Sequence, residues 1–134
     1  MKFKKALFAG SFDPFHDGHL HILKKANELF DEVYVAVSIN PNKNSSKLEK
    51  RVDQVSNFLK EHDLKNKVIK NDGLTVELAK KIGCKYLIRG LRNNLDLEYE
   101  LELANLNKKI DSSIETIFLV ADNEFKNISS SKLK

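Results

Sequence analysis

The chain has 134 residues, 41% of them hydrophobic and 31% charged; this is a soluble globular composition with room for one domain, 1–134, that buries roughly two-thirds of its unfolded surface. The lone Cys84 excludes an internal disulfide, and the apolar run after the basic start Met1 to Lys5 breaks at Gly10, Asp13 and Pro14, too soon for a signal peptide or a membrane span. The net charge of +4 comes without an aromatic-interleaved basic stripe; it reads first as a solvated, Lys-rich surface and second as attraction to small anions, with no nucleic acid, no membrane and a cytoplasmic location expected.

Taken in order, Lys5 to Ala9 is predicted as a buried strand ended by Gly10. Gly18 to Phe30 is predicted as a helix, with Leu20, Leu23, Ala26 and Phe30 on one face. Val33 to Val37 is β-branched and nearly continuous, as in a parallel strand covered on both sides. Residues 39–47 are polar, with Pro41 and several Asn and Ser, and are expected to form a loop. A helix over Leu48 to Leu59 and a short strand over Lys67 to Lys70 follow. Thr75 is the expected N-cap of a helix that runs to Ile82 and stops at Gly83. Tyr86 to Ile88 is the fourth strand. Leu95 to Ile110 is the longest helix, apolar over more than one stripe, which suits a subunit contact as well as a core. Ile114 to Val120 is the fifth strand, and Ile128 to Ser131 has the composition of a helix start. Five strands alternating with helices predict an α/β fold: a Rossmann-like, doubly wound five-stranded parallel sheet with helices on both faces.

In such a sheet the ligand sits at the carboxyl ends of the strands. Gly10 to His19 follows the first strand, Lys43 the second, Arg89 to Arg92 the fourth and Ser129 to Ser131 the fifth. One edge would therefore gather Ser11, His16, His19, Lys43, two arginines and three serines beside a helix N-terminus. Nearly all of these are hydrogen-bond donors suited to phosphate oxygens. No Ser-His-Asp set, carboxylate pair or metal-ligand run accompanies them. That balance fits nucleotidyl transfer. A phosphate monoester, with its second pKa at about 6, is already a nucleophile at neutral pH; catalysis then rests on alignment and on stabilising charge at phosphorus. Cys84, His21 and His62 have no supporting neighbours and are expected to be packing or surface residues.

Gly10-Ser11-Phe12-Asp13-Pro14 with His16-Asp17-Gly18-His19 resembles the signature of the HxGH nucleotidyltransferases. Arg89-Gly90-Leu91-Arg92, the segment Asp96 to Glu100 and Ile128 to Ser131 look like the bacterial phosphopantetheine adenylyltransferases within them. The resemblance implies that ATP and 4′-phosphopantetheine give dephospho-CoA and pyrophosphate. Mg²⁺ would enter through the ATP phosphates rather than through protein ligands, and a hexameric homo-oligomer is implied.

Residue by residue, the resemblance makes His19 the transition-state stabiliser, with Ser11, Lys43 and Arg92 assisting. It gives Ser11, Lys43, Thr75 and Arg89 to phosphopantetheine. It gives Ser11, Phe12, His16, His19, Gly90, Leu91, Arg92, Glu100 and the run Phe125, Lys126, Asn127, Ile128, Ser129, Ser130 and Ser131 to ATP. Ser11 keeps the hydroxyl where the family often has Thr, His16 stands where Thr is more usual, and Thr75 stands where an apolar residue is common. The first motif alone leaves open nicotinate-mononucleotide adenylyltransferase, glycerol-phosphate cytidylyltransferase and a non-catalytic nucleotide-binding protein.

Overall fold

The fold was analysed on a computed structural model, which describes residues 3–12, 14–39, 47–91 and 94–122. Five strands form one sheet: β1 (Lys5–Gly10), β2 (Glu32–Ser38), β3 (Val68–Asn71), β4 (Tyr86–Leu91) and β5 (Glu115–Val120), in the order β3-β2-β1-β4-β5. Every neighbouring pair is parallel. Four helices connect them: α1 (Asp17–Leu29), α2 (Leu48–Glu61), α3 (Thr75–Ile82) and α4 (Asn94–Ile110).

The pleat divides the apolar residues between two layers. Ala6, Phe8, Val33, Val35, Val37 and Ile88 face α1 and α2, and pack with Leu23, Ala26, Val55 and Leu59. Leu7, Ala9, Ala36 and Leu87 face the other way, onto Val76 and Ala79 of α3. The continuous apolarity of β1 and β2 is thus explained by cover on both faces. Leu7, Leu23, Val35 and Leu59 are essentially inaccessible; each side chain contributes about 1.5–3 kcal/mol through burial. Helix α4 lies over β4 and β5 on the α3 side.

Element ends shift by a few residues from the sequence expectation, and two of these shifts bear on the site. Strand β4 runs through Leu91, because its pairing with β5 continues to Leu91↔Val120; Arg89, Gly90 and Leu91 belong to the strand rather than to the loop after it. Thr75 is not the N-cap of α3. Leu74 occupies that position without a side-chain cap, while the Thr75 hydroxyl accepts from Asn71 Nδ2 at 3.1 Å. Helix α3 does end at Gly83, whose φ of +79° is left-handed. Among the described residues no helix is long and apolar enough to cross a membrane.

Cys84 is 1% exposed beneath α3, and burial pushes its thiol up to about 11. Native protein at pH 8 is expected to resist iodoacetamide at Cys84, because the attacking thiolate is scarce. The thiol becomes reactive at the ordinary rate once denaturant unfolds the chain. Mass spectrometry of alkylated samples along a urea series checks this.

Candidate active site

The order of strands reverses between β1 and β4. The chain leaves β1 into α1 on one face and β4 into α4 on the other. The carboxyl edge there opens into the crevice in which α/β sheets bind ligands.

Two imidazoles build the start of α1. His16 is the N-cap, and its Nδ1 accepts the N–H of Gly18 at 3.1 Å. In return His19 Nδ1 accepts the N–H of His16 at 3.1 Å. This is a reciprocal capping box made with histidines in place of the usual hydroxyl and carboxamide. It also sets the tautomers: a nitrogen that accepts an N–H carries no proton, so in both neutral rings the proton sits on Nε2. In both rings that N–H lies on the side away from the cap. The sequence suggested that the bare N–H groups of the helix would meet the anion; here the N–H of Gly18 is taken by His16, and the imidazoles stand at the positive end of the helix instead.

Aromatic packing holds His19 in place. Its ring stacks on His16 at 3.7 Å between centroids and meets Phe12 edge-on at 4.9 Å and Phe15 at 5.2 Å. Phe12 is buried and has φ +45°. Its ring faces the core against Phe8, so it is the backbone of Phe12 that remains for a ligand. The ring lies over Gly10, where a Cβ would fall 2.9 Å from Phe12 Cε1. Glycine at position 10 is what allows this approach.

Beside this, Arg89 projects from β4 toward α4. Its Nε and Nη2 each donate at 2.8 Å to the two carboxylate oxygens of Glu100, and its Nη1 donates at 2.9 Å to the carbonyl of Ala9. Glu100 is nearly inaccessible, and a carboxylate there needs such a bidentate cation. Glu100 thus orients Arg89, and the guanidinium head is brought to the end of β1, two residues from Ser11. Arg89, Glu100 and Thr75 line a cavity of about 210 Å³ with Leu103, Ala104 and Asn107. Gly90 faces the opposite side, where a Cβ would meet Ile22 of α1 at 3.0 Å; its bare Cα lets α1 press on β4.

The structure therefore gathers Ser11, His16, His19, Thr75, Arg89 and Glu100 at one edge, with the backbones of Phe12, Gly90 and Leu91. Lys43, Arg92, Phe125, Lys126, Asn127, Ile128, Ser129, Ser130 and Ser131 lie outside the described residues.

Two contributors were missed in the sequence. His21, expected to be a bare surface residue, has Nε2 3.1 Å from Asp122 Oδ2, and Lys25 one turn on donates to Asp122 Oδ1 at 3.0 Å and to the carbonyl of Val120 at 2.8 Å. Together they tie the end of β5 to α1. The spacing of His21 and Lys25 at i, i+4 was a signal, but their partner is about a hundred residues away. The other is Arg51, which lies on the buried stripe of α2 with Val55 and Leu59 and is 2% exposed. Its Nη1 donates to the carbonyls of Ser11 at 2.6 Å and Ser38 at 3.0 Å. An arginine in register with that apolar stripe was the available signal.

With the geometry in place, the comparisons give the class. Residues 7–134 match the cytidylyltransferase-like family model. The chain belongs to this family, within its phosphopantetheine adenylyltransferases. It is 47% identical over 130 residues to the phosphopantetheine adenylyltransferase of Desulfitobacterium hafniense (strain DSM 10664 / DCB-2), covering 96% of this chain and 79% of that one. It is 41% identical over 132 residues to that of Mycoplasma capricolum subsp. capricolum, covering 98% and 94%. Among solved structures, pantothenate synthetase from Thermus thermophilus shares the fold at TM-score 0.68 and 10% identity, covering 97% of this chain and 61% of that one.

Two outcomes test this geometry. Gly10→Ala forces the packed Phe12 ring to move and His19 with it. It is expected to cost about 1–3 kcal/mol of stability by denaturant titration, with a fall in catalytic rate in the folded protein. Lys25's hydrogen bond, foremost among the causes, holds the Asp122 carboxyl below the usual range. A depressed carboxylate stabilises the fold above its unfolded pKa of about 3.9 and loses that contribution as pH falls through its folded value. Asp122→Asn should therefore melt earlier than the parent at pH 7, and the difference should narrow steadily as the pH of the melts is lowered below about 4.

Proposed function

We propose that the chain transfers the adenylyl group of ATP to 4′-phosphopantetheine, releasing pyrophosphate and forming dephospho-CoA in coenzyme A synthesis. The observation that carries this reading is the pair of fixed Nε2–H donors at the start of α1, set against the Arg89–Glu100 pair across the β1/β4 crevice. The names of the relatives supply the two substrates. A phosphate oxygen of phosphopantetheine attacks the α-phosphorus in line. One P–O bond forms, the bond from that phosphorus to the α–β bridging oxygen breaks, and pyrophosphate leaves with the electron pair. No covalent enzyme intermediate is needed.

His19 Nε2–H would donate to the α-phosphate oxygens as charge develops there, and His16 would support the triphosphate. The Arg89 head, the Thr75 hydroxyl and the cavity beside them suit the phosphate end of the acceptor. Ser11, which directly follows β1, would meet both substrates, as the resemblance implies. Lys43 and Arg92 enter by resemblance alone, as does the serine run from Phe125 to Ser131. Mg²⁺, when bound, supplies charge neutralisation on the triphosphate. It would be carried by the ATP phosphates, as the resemblance implies.

A homo-oligomer belongs to the same proposal, as does a cytoplasmic setting. Leu97, Tyr99, Leu101, Leu106 and Ile110 of α4 are 39–64% exposed, apolar side chains on more than one stripe of the helix, of the kind that subunit contacts cover.

Turnover with phosphopantetheine, nicotinate mononucleotide and glycerol phosphate, read as pyrophosphate released from ATP or CTP, tests the reading. Phosphopantetheine with ATP is the expected productive pair, and exclusive use of another acceptor overturns the assignment. In the same assay His19→Ala should retain the parent's circular dichroism and lose about 10²–10³-fold in kcat, as when one transition-state donor is removed.

A further inference from the structure

Arg51 is a buried cation that, among the described residues, donates to carbonyls at the exits of two adjacent strands. Ser11 directly follows β1, and Ser38 is the last residue of β2. Taking a guanidinium out of water costs several kcal/mol before its hydrogen bonds are counted, and an apolar residue at this point of the α2 stripe would extend the core without that cost. We propose that Arg51 is a positioning residue for adenylyl transfer, clamping the main chain that presents Ser11 and the backbone of Phe12 to the nucleotide. The proposal rests on the nucleotidyltransferase reading above.

Planarity of the peptide carries the argument further. The Ser11 carbonyl and the Phe12 N–H belong to one peptide group and point in opposite directions. Holding the carbonyl against Arg51 at 2.6 Å therefore directs the Phe12 N–H away from α2. The left-handed φ of Phe12, +45°, is an unfavourable backbone state for a bulky residue, and the clamp on the preceding carbonyl helps hold it. The second bond fixes Ser38, after which the sequence leads to Lys43. Ser38 is also joined through its hydroxyl to Asn71, and Asn71 to Thr75, at 3.1 Å each. Arg51 thus sits in the middle of a polar chain that runs along the carboxyl edge from Thr75 to Ser11. A lysine keeps the charge but ends in a compact, rotating ammonium on a different stem, which does not reproduce the fixed in-plane directions of the two N–H bonds that Arg51 Nη1 aims at Ser11 and Ser38.

The test uses the full chain with Arg51→Lys, Arg51→Met and Arg51→Ala. Thermal melts first establish the temperature at which each variant is folded, and kinetics are measured well below it. The expected result is about a 10²-fold fall in kcat for folded Arg51→Lys and Arg51→Met, the size associated with misplacing a reacting group by about 1 Å. KM for the phosphate acceptor should change less than threefold, and methylguanidinium should restore part of kcat to Arg51→Ala. A folded Arg51→Lys or Arg51→Met with kcat within twofold of the parent overturns the proposal. Failure of all three variants to fold also overturns it, because the role is then structural. Parent turnover in the same assay separately reports on the function. If another phosphate acceptor proves to be the substrate, the kcat loss is still expected with it, because the main chain of Ser11 and Phe12 meets the nucleotide whichever acceptor attacks.

Discussion

Everything at the edge of this molecule depends on the parallel pairing of β1 with β4. Parallel strands deliver their carboxyl ends to one side, and at this pair the helices that follow leave on opposite faces. Without that divergence the start of α1 would lie over the β4 exit and no crevice would open. The close approach of β1 and β4 also lets Arg89 reach the Ala9 carbonyl from the neighbouring strand. The site is thus made from the sheet itself, and loops add to it.

The same edge collects main-chain carbonyls, and two guanidiniums meet them. Arg89 is balanced by Glu100, so its charge is largely spent within the protein and its geometry is fixed by two parallel bonds. Arg51 takes the carbonyls of Ser11 and Ser38. Between these heads the His16–His19 cap converts the positive end of α1 into two side-chain donors. Donors prevail because the crevice has to receive a triphosphate and an attacking phosphate together, and like-charge repulsion between them opposes the reaction. Fixed donors offset that repulsion and need not reorganise during transfer.

Rigid packing and exposure divide differently along the chain. The residues that aim His19 are among the most buried, with Phe12 and Phe15 continuous with the core on the α1 side. Helix α4, which supplies Glu100, is well buried at that residue and carries several exposed large apolar side chains.

Most of the fold was legible in the residues. Continuous β-branched runs, three-and-four apolar spacing and Gly83 placed every strand and helix described, to within a few residues at the ends. The donor-rich motif after β1 also named His16 and His19. Long-range partners were not legible: Arg89 was expected to follow its strand and lies within it, because β5 extends the ladder. Thr75 was expected to cap α3 and is instead held by Asn71. His21 found Asp122, and Arg51 found Ser11 and Ser38. Periodicity and local motifs by themselves determined the α/β class, the order of elements and the chemistry of the first loop, since these depend on neighbours within a few residues. Tertiary structure decided which face each side chain entered and which carbonyls each guanidinium holds, because those follow from contacts between segments that only the closed sheet brings together.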